Sequence, residues 1–358
     1  MEEELLSVSQ YVLYAGSFLL SVIISAYITE QVLRVTRKVK IYDIPDNTRK
    51  IHGVAIPSMG GIGIFIAYMT IGALFMFGST IQWSIIIASS MILFATGVYD
   101  DMMNMSPAKK LTFQLLASFL TVFFADLRIP SLFGLMGIGQ IPYVEGLLLT
   151  TLLCTFFINV FNFIDGIDGL ACTLSIVDTA VLAVLFAGMG HFTIACVLLS
   201  IAGGAAGLLR YNLAPAKIYM GDTGSMLIGF SIFIFSTVIL KRIDFETSSP
   251  LLGVMHSQLA VFMLLISVMY LPIFDGLRVF ILRLVKKQSP MKADRLHLHY
   301  CLLDAGCTHT QAVGVLGSLN VLFIALAFLL RDMHPVIILS AMTVIACMTT
   351  LLVWKKRR

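Results

Sequence analysis

The chain has 358 residues, 58% of them hydrophobic and only 12% charged, with a net charge of +4. A soluble domain carries about 25% charged and roughly 45–50% apolar residues, so the composition excludes a water-soluble domain, a disordered chain and a disulfide scaffold. A single-span anchor is excluded too, because a bilayer-crossing helix needs about 20 apolar residues and the apolar residues here run the whole length.

The opening MEEELLSVSQ lacks the positive charge of a secretory signal, so the first apolar run reads as a retained helix. Hydropathy and Gly/Pro punctuation predict eleven helices, over 11–33, 58–77, 81–99, 108–125, 144–163, 170–189, 193–211, 225–240, 258–282, 313–330 and 335–354. The stretch 129–143 is too short and too rich in Gly and Pro to span. The six cysteines form no CxxC pair and read as small buried hydrophobes.

Placing the N-terminus outside and alternating puts all but four of the 24 Lys and Arg residues in cytoplasmic loops; the four are Arg128, Lys241, Arg242 and Arg331. That asymmetry sets orientation and puts the C-terminus in the cytoplasm. The expectation is an all-α integral membrane protein: one polytopic bundle of about eleven transmembrane helices over 1–358, with its site built from cytoplasmic loops.

Five polar segments fall on that same side. The first, YDIPDNTRKIHGVAIPSMGG, offers Lys50 and His52 as phosphate or nucleotide contacts. The second, YDDMMNMSPAKK, ends the third helix on Asp100 and Asp101, adjacent carboxylates best tolerated beside a divalent cation or a basic partner. A plain interfacial cap is the other reading of that pair.

The third segment, NVFNFIDGIDGL, spaces Asn159, Asn162, Asp165 and Asp168 three residues apart. Read as helix, this puts four oxygen-bearing side chains on one face, a set for a hard cation or a polyhydroxyl substrate. The fourth, NLAPAKIYMGDTGS, flanks Asp222 with glycines and supplies Thr223 and Ser225 as helix caps. Backbone N–H groups at such a helix start favour phosphate, and Tyr219 offers an aromatic face to a base. The fifth segment, DRLHLHY, alternates Arg295, His297 and His299, which suits an anion clamp better than a zinc site. Asp178 alone among the acids lies well inside a span, which argues against a transporter with a polar path across the bilayer.

In this order the five segments resemble the polyprenyl-phosphate N-acetylhexosamine-1-phosphate transferase family over nearly the whole chain. FNFIDGIDGL and LPIFDGLR look like its N-acetylglucosamine-1-phosphate branch; the branch acting on UDP-MurNAc-pentapeptide carries a triple-His motif, absent here. One departure stands out: where the N-acetylglucosamine branch ends HIHH, this chain has His297, Leu298, His299 and Tyr300.

The resemblance implies transfer of a sugar 1-phosphate from a UDP-N-acetylhexosamine to undecaprenyl phosphate at the cytoplasmic face of a bacterial inner membrane. The implied cofactor is magnesium, or manganese, on Asp222 with Asn162 as partner. Asp100, with Asp101 beside it, orients the lipid phosphate or contacts the metal. Asp165 and Asp168 contact nucleotide and sugar, Tyr219 stacks on uracil, and Arg295, His297 and His299 form the diphosphate and sugar loop. The implied partners are the two substrates and membrane lipids, with no nucleic acid; a homodimer is an open option.

Overall fold

The computed structural model describes residues 2–39, 56–76, 80–245, 250–288 and 295–356. Each of the eleven apolar windows is a helix: α1 (Glu2–Val39), α2 (Gly61–Met76), α3 (Ile81–Met103), α4 (Pro107–Phe124), α5 (Tyr143–Ile164), α6 (Leu170–Gly188), α7 (Phe192–Asn212), α8 (Gly221–Phe245), α10 (Gln258–Val285), α12 (His309–Leu329) and α13 (Pro335–Lys356). Two short helices, α9 (Pro250–Met255) and α11 (Leu298–Asp304), were not expected. Among the described residues nine of the long helices are long and apolar enough to cross a membrane; α2, with 16 residues, and α4 are not among them. The chain is a multi-pass helical membrane protein. Between α4 and α5, where no span was expected, the backbone makes a 3-10 turn at Leu135–Gly137 and an isolated bridge between Ser131 and Gln140.

Local chemistry sets the helix ends. Thr80 caps α3 through Trp83 N–H, and Asn104 ends it in the left-handed region. Pro107 opens α4, where its missing N–H costs nothing. Thr308 and Gln311 form a reciprocal capping box on α12.

Helix α8 is the axis of the bundle. Its apolar window is wholly buried, and α2, α3, α5, α6 and α10 pack around it. On the flank, α1 lays a stripe of small residues on α7, where Ser25 Oγ donates to the Gly204 carbonyl at 2.7 Å. Lipid tails are as apolar as leucine, so close backbone approach through small residues drives such packing.

Alternation along the chain brings the C-terminal ends of α3, α5 and α7 together with the N-terminal ends of α4, α6 and α8. The second, third and fourth polar segments therefore meet at one end of the bundle. At the other end Lys241 pairs with Asp126 at 2.7 Å and His256 with Asp332 at 2.7 Å. Asp178, buried between α6 and α12, accepts from Asn320 Nδ2 at 2.7 Å, so this acid inside a span ties two helices together.

Candidate active site

The first turn of α8 organises the site. Gly221 starts it with φ +73°, and a Cβ there would collide with the Ser58 carbonyl and the Asp101 carboxylate. Only glycine allows both the left-handed backbone and that approach. The helix begins four residues earlier than the sequence suggests, so Ser225 is no cap; its Oγ lies in the second turn and donates to the Gly221 carbonyl at 3.0 Å.

The N–H groups of this turn do not wait for phosphate, contrary to expectation. Asp165 Oδ2 accepts from Gly221 N at 2.9 Å. Asp101 accepts from Asp222 N at 2.9 Å, Thr223 N at 3.1 Å and Thr223 Oγ1 at 2.6 Å. Two carboxylates from other elements thus cap α8 and satisfy both its open donors and its dipole. Asp101 works through the backbone of α8.

Asp222, thus held, faces α3, α4 and α5. Its Oδ1 accepts from Asn162 Nδ2 at 2.5 Å, and its Oδ2 pairs with Lys110 Nζ. The same ammonium reaches Asp100 Oδ2 at 3.4 Å and Asn162 Oδ1 at 3.5 Å. Asp100 Oδ1 takes the N–H of Met105 at 2.5 Å. The centre is therefore two carboxylates and an amide oxygen from α3, α5 and α8 around one lysine of α4. Lys110 was legible in the sequence only as an inside charge; its place among the acids was not.

The expected single face of four polar groups holds only in part. Helix α5 ends at Ile164, so Asn159 and Asn162 share a face while Asp165 and Asp168 lie in the α5–α6 turn. Asn159 packs inward, donating to Gln114 Oε1 and the Thr155 carbonyl at 2.8 Å each. Asp168, buried, accepts from Ala216 N at 3.0 Å. Asn212, which the sequence reading passed over, accepts from Gly169 N at 3.0 Å and donates to the Ile218 carbonyl at 2.9 Å. These bonds fasten the 165–169 turn to the 213–220 loop that carries Tyr219.

Tyr219 is tied by its backbone to the segment before α2: its N–H donates to the Pro57 carbonyl at 2.9 Å, and Gly60 N–H donates back to its carbonyl at 2.9 Å. Its side chain is half-buried, and burial, with Asp168 and Asp165 nearby, pushes the phenol up to about 12. Lys50 and His52 lie outside the described residues.

The fifth segment differs most from expectation. His297 and His299 are buried, and their rings stack at 5.6 Å. His297 Nδ1 pairs with Asp275 Oδ2 at 2.8 Å; Asp275 Oδ1 accepts from Arg278 Nη2 at 2.7 Å and Leu298 N at 3.0 Å. The acid and arginine of LPIFDGLR thus clamp the histidine loop, a role the sequence reading did not give them. Arg295 pairs with Asp304 at 2.8 Å and lies 5.2 Å over the Tyr300 ring, so the tyrosine that replaces a histidine holds the arginine.

His299 is fully buried, neither ring nitrogen has a hydrogen-bond partner among the described residues, and burial pushes its imidazole down to about 3. Its Nε2 points at Gly166, where any Cβ would collide with the ring.

Residues 83–240, which span this centre from α3 to α8, match the model for glycosyl transferase family 4. A probable undecaprenyl-phosphate N-acetylglucosaminyl 1-phosphate transferase of Bacillus subtilis (strain 168) is 31% identical over 326 residues, covering 88% of this chain and 84% of that protein. The chain belongs to glycosyl transferase family 4. A decaprenyl-phosphate N-acetylglucosaminephosphotransferase of Mycolicibacterium smegmatis is 30% identical over 289 residues, 74% of this chain and 69% of its own. An undecaprenyl-phosphate alpha-N-acetylglucosaminyl 1-phosphate transferase of Escherichia coli (strain K12) is 29% identical over 314 residues, 84% of this chain and 79% of its own. The family match ends at 240, so the Asp275–Arg278 clamp and the histidine loop lie beyond it.

Proposed function

We propose that this membrane enzyme transfers N-acetylglucosamine 1-phosphate from its UDP derivative to undecaprenyl phosphate. An oxygen of the lipid phosphate attacks the β-phosphorus, the bond from that phosphorus to the bridging oxygen breaks, and UMP leaves with the electron pair. The observation that carries this reading is the convergence of Asp100, Asn162, Asp222 and Lys110 at one end of the bundle, within the family-matched residues.

One substrate is a lipid and the other a water-soluble anion, so the reaction belongs at a membrane surface. The Lys and Arg residues concentrated in the loops on that side support a cytoplasmic face of a bacterial inner membrane. Phosphoryl transfer needs positioning and charge neutralisation more than covalent help. Lys110 supplies positive charge at the centre. A phosphate monoester has a second pKa near 6 and is mostly dianionic at neutral pH, so Asp100 acts by orientation rather than as a base. Tyr219 offers its ring to uracil, and Arg295 brings a cation to the sugar-diphosphate side.

A divalent metal suits these residues. Asp222 Oδ2, Asn162 Oδ1 and Asp100 Oδ2 all lie around one cationic point. An all-oxygen set with one or two carboxylates, completed by water and phosphate, is what magnesium or manganese takes. Among the described residues no three His, Cys, Asp or Glu side chains cluster as a metal site. When bound, the ion would offset phosphate charge.

The test is incubation of purified protein with magnesium, undecaprenyl phosphate and a panel of UDP-sugars, reading UMP. UMP from UDP-N-acetylglucosamine is expected; UMP only from another UDP-N-acetylhexosamine would move the specificity, and none from any sugar would overturn the reading.

A further inference from the structure

The oxygens around Lys110 divide into used and available ones. Asp100 Oδ1 is occupied by Met105 N–H, and Asp222 Oδ1 by Asn162 Nδ2. Each of Asp100, Asp222 and Asn162 has one further oxygen, and all three of these meet Lys110 Nζ. These are the same three oxygens that the proposed function gives to a divalent ion.

A lysine ammonium has three donors and no acceptor, so it fills a three-oxygen cage completely. A hard cation wants the same oxygens. The cage is largely shielded, with the Lys110 side chain 16% exposed and those of Asp100 and Asp222 17% each, so screening by water and salt is weak. An ammonium and a divalent ion a few ångströms apart in such a place repel strongly.

We propose that Lys110 and the divalent cation are alternative occupants of one oxygen cage. In the free protein the ammonium holds the acids of α3 and α8 together; when the ion enters, the lysine turns out. This inference rests on the metal-assisted transfer proposed above. The direction of the displaced lysine follows from its place. Lys110 stands in the first turn of α4, one residue from exposed Lys109, at the polar end of the bundle. Its flexible four-carbon stem carries the charge outward without moving the helix. The lysine thus becomes available to an anionic substrate only once the metal is in place, and the acids are never left without a counter-charge.

The experiment is Mn2+ binding to the purified protein without substrate, followed by electron paramagnetic resonance. Lys110→Met keeps the length and removes the charge. It should bind Mn2+ roughly 5- to 150-fold more tightly than the parent, the usual range of coupling between two binding events. Equal or weaker binding would overturn the proposal, because a lysine that merely braces the acids would take the metal site with it when lost. The second measurement needs no variant. Reductive methylation of the parent protein, read by mass spectrometry, should modify Lys110 faster with Mn2+ than without. Unchanged or slower modification would overturn the exchange. UMP release by the parent protein separates the two claims: exchange without UMP sinks the reaction alone, and UMP without exchange sinks this proposal alone.

Discussion

Asp101 and Asp222 are joined through the backbone: Asp101 Oδ1 accepts the Asp222 N–H at 2.9 Å while the Asp222 carboxylate faces the opposite way, toward Lys110 and Asn162. The two acids therefore fail differently when changed. Asp101→Ala removes one of the two carboxylates that cap the central helix, a loss of about 0.5–2 kcal/mol, and should lower the melting temperature together with activity. Asp222→Asn removes a charge at the reacting centre and should lower kcat by about 10²–10³-fold with the larger share of its effect on rate. Paired melting curves and UMP kinetics check this; equal profiles for the two variants would contradict the division.

Tyr219 separates binding from chemistry. Stacking on a base is worth about 1–3 kcal/mol, so Tyr219→Ala should raise KM for the sugar nucleotide roughly 5- to 150-fold and leave kcat within a few-fold. Its backbone bonds to Pro57 and Gly60 survive the change. Tyr219→Phe should be nearly silent, because stacking uses the ring and not the hydroxyl. A lower melting temperature with unchanged KM in the alanine variant would make the ring a structural anchor.

His299 makes stability depend on pH. Its folded-state value is pushed down to about 3 from an ordinary 6.5, so below about pH 6.5 the unfolded chain takes up a proton that the folded one refuses. The stabilisation is complete above that pH and declines as pH falls toward 3. The melting temperature should therefore drop between pH 7.5 and 5, and drop less in His299→Gln. Parallel slopes would remove His299 as the cause.

Gly166 and His299 should behave as one unit. A Cβ at Gly166 meets the imidazole, so Gly166→Ala should destabilise the parent protein but cost much less in a His299→Ala background. Contacting residues couple by about 0.5–3 kcal/mol. A double-mutant cycle of melting temperatures measures this, and additivity would contradict the contact.

Sidedness is testable with single cysteines on a cysteine-free background. Gln140 and Lys217 are both exposed and stand at opposite ends of the bundle. An impermeant maleimide added to intact cells should label Gln140→Cys and miss Lys217→Cys. The reverse pattern would put the candidate site outside.

Hydropathy alone determined the class of this protein and the positions of its long helices, because a bilayer demands about 20 apolar residues per crossing and charge interrupts them. The chain also displayed the acids that meet at one end, since polar groups in apolar sequence are conspicuous. Which oxygen faces which partner was beyond it. The sequence presents Asp100 and Asp101 as a pair, but one turn of α3 aims the first at Lys110 and the second at the backbone of α8. It presents His297 and His299 as a clamp open to anions, but Asp275, about twenty residues earlier, draws the loop into the protein. Lys110 looked like one more inside charge until α4 packed against α3 and α5. Such roles depend on contacts between residues far apart in the chain, and only the packing of the helices sets those distances.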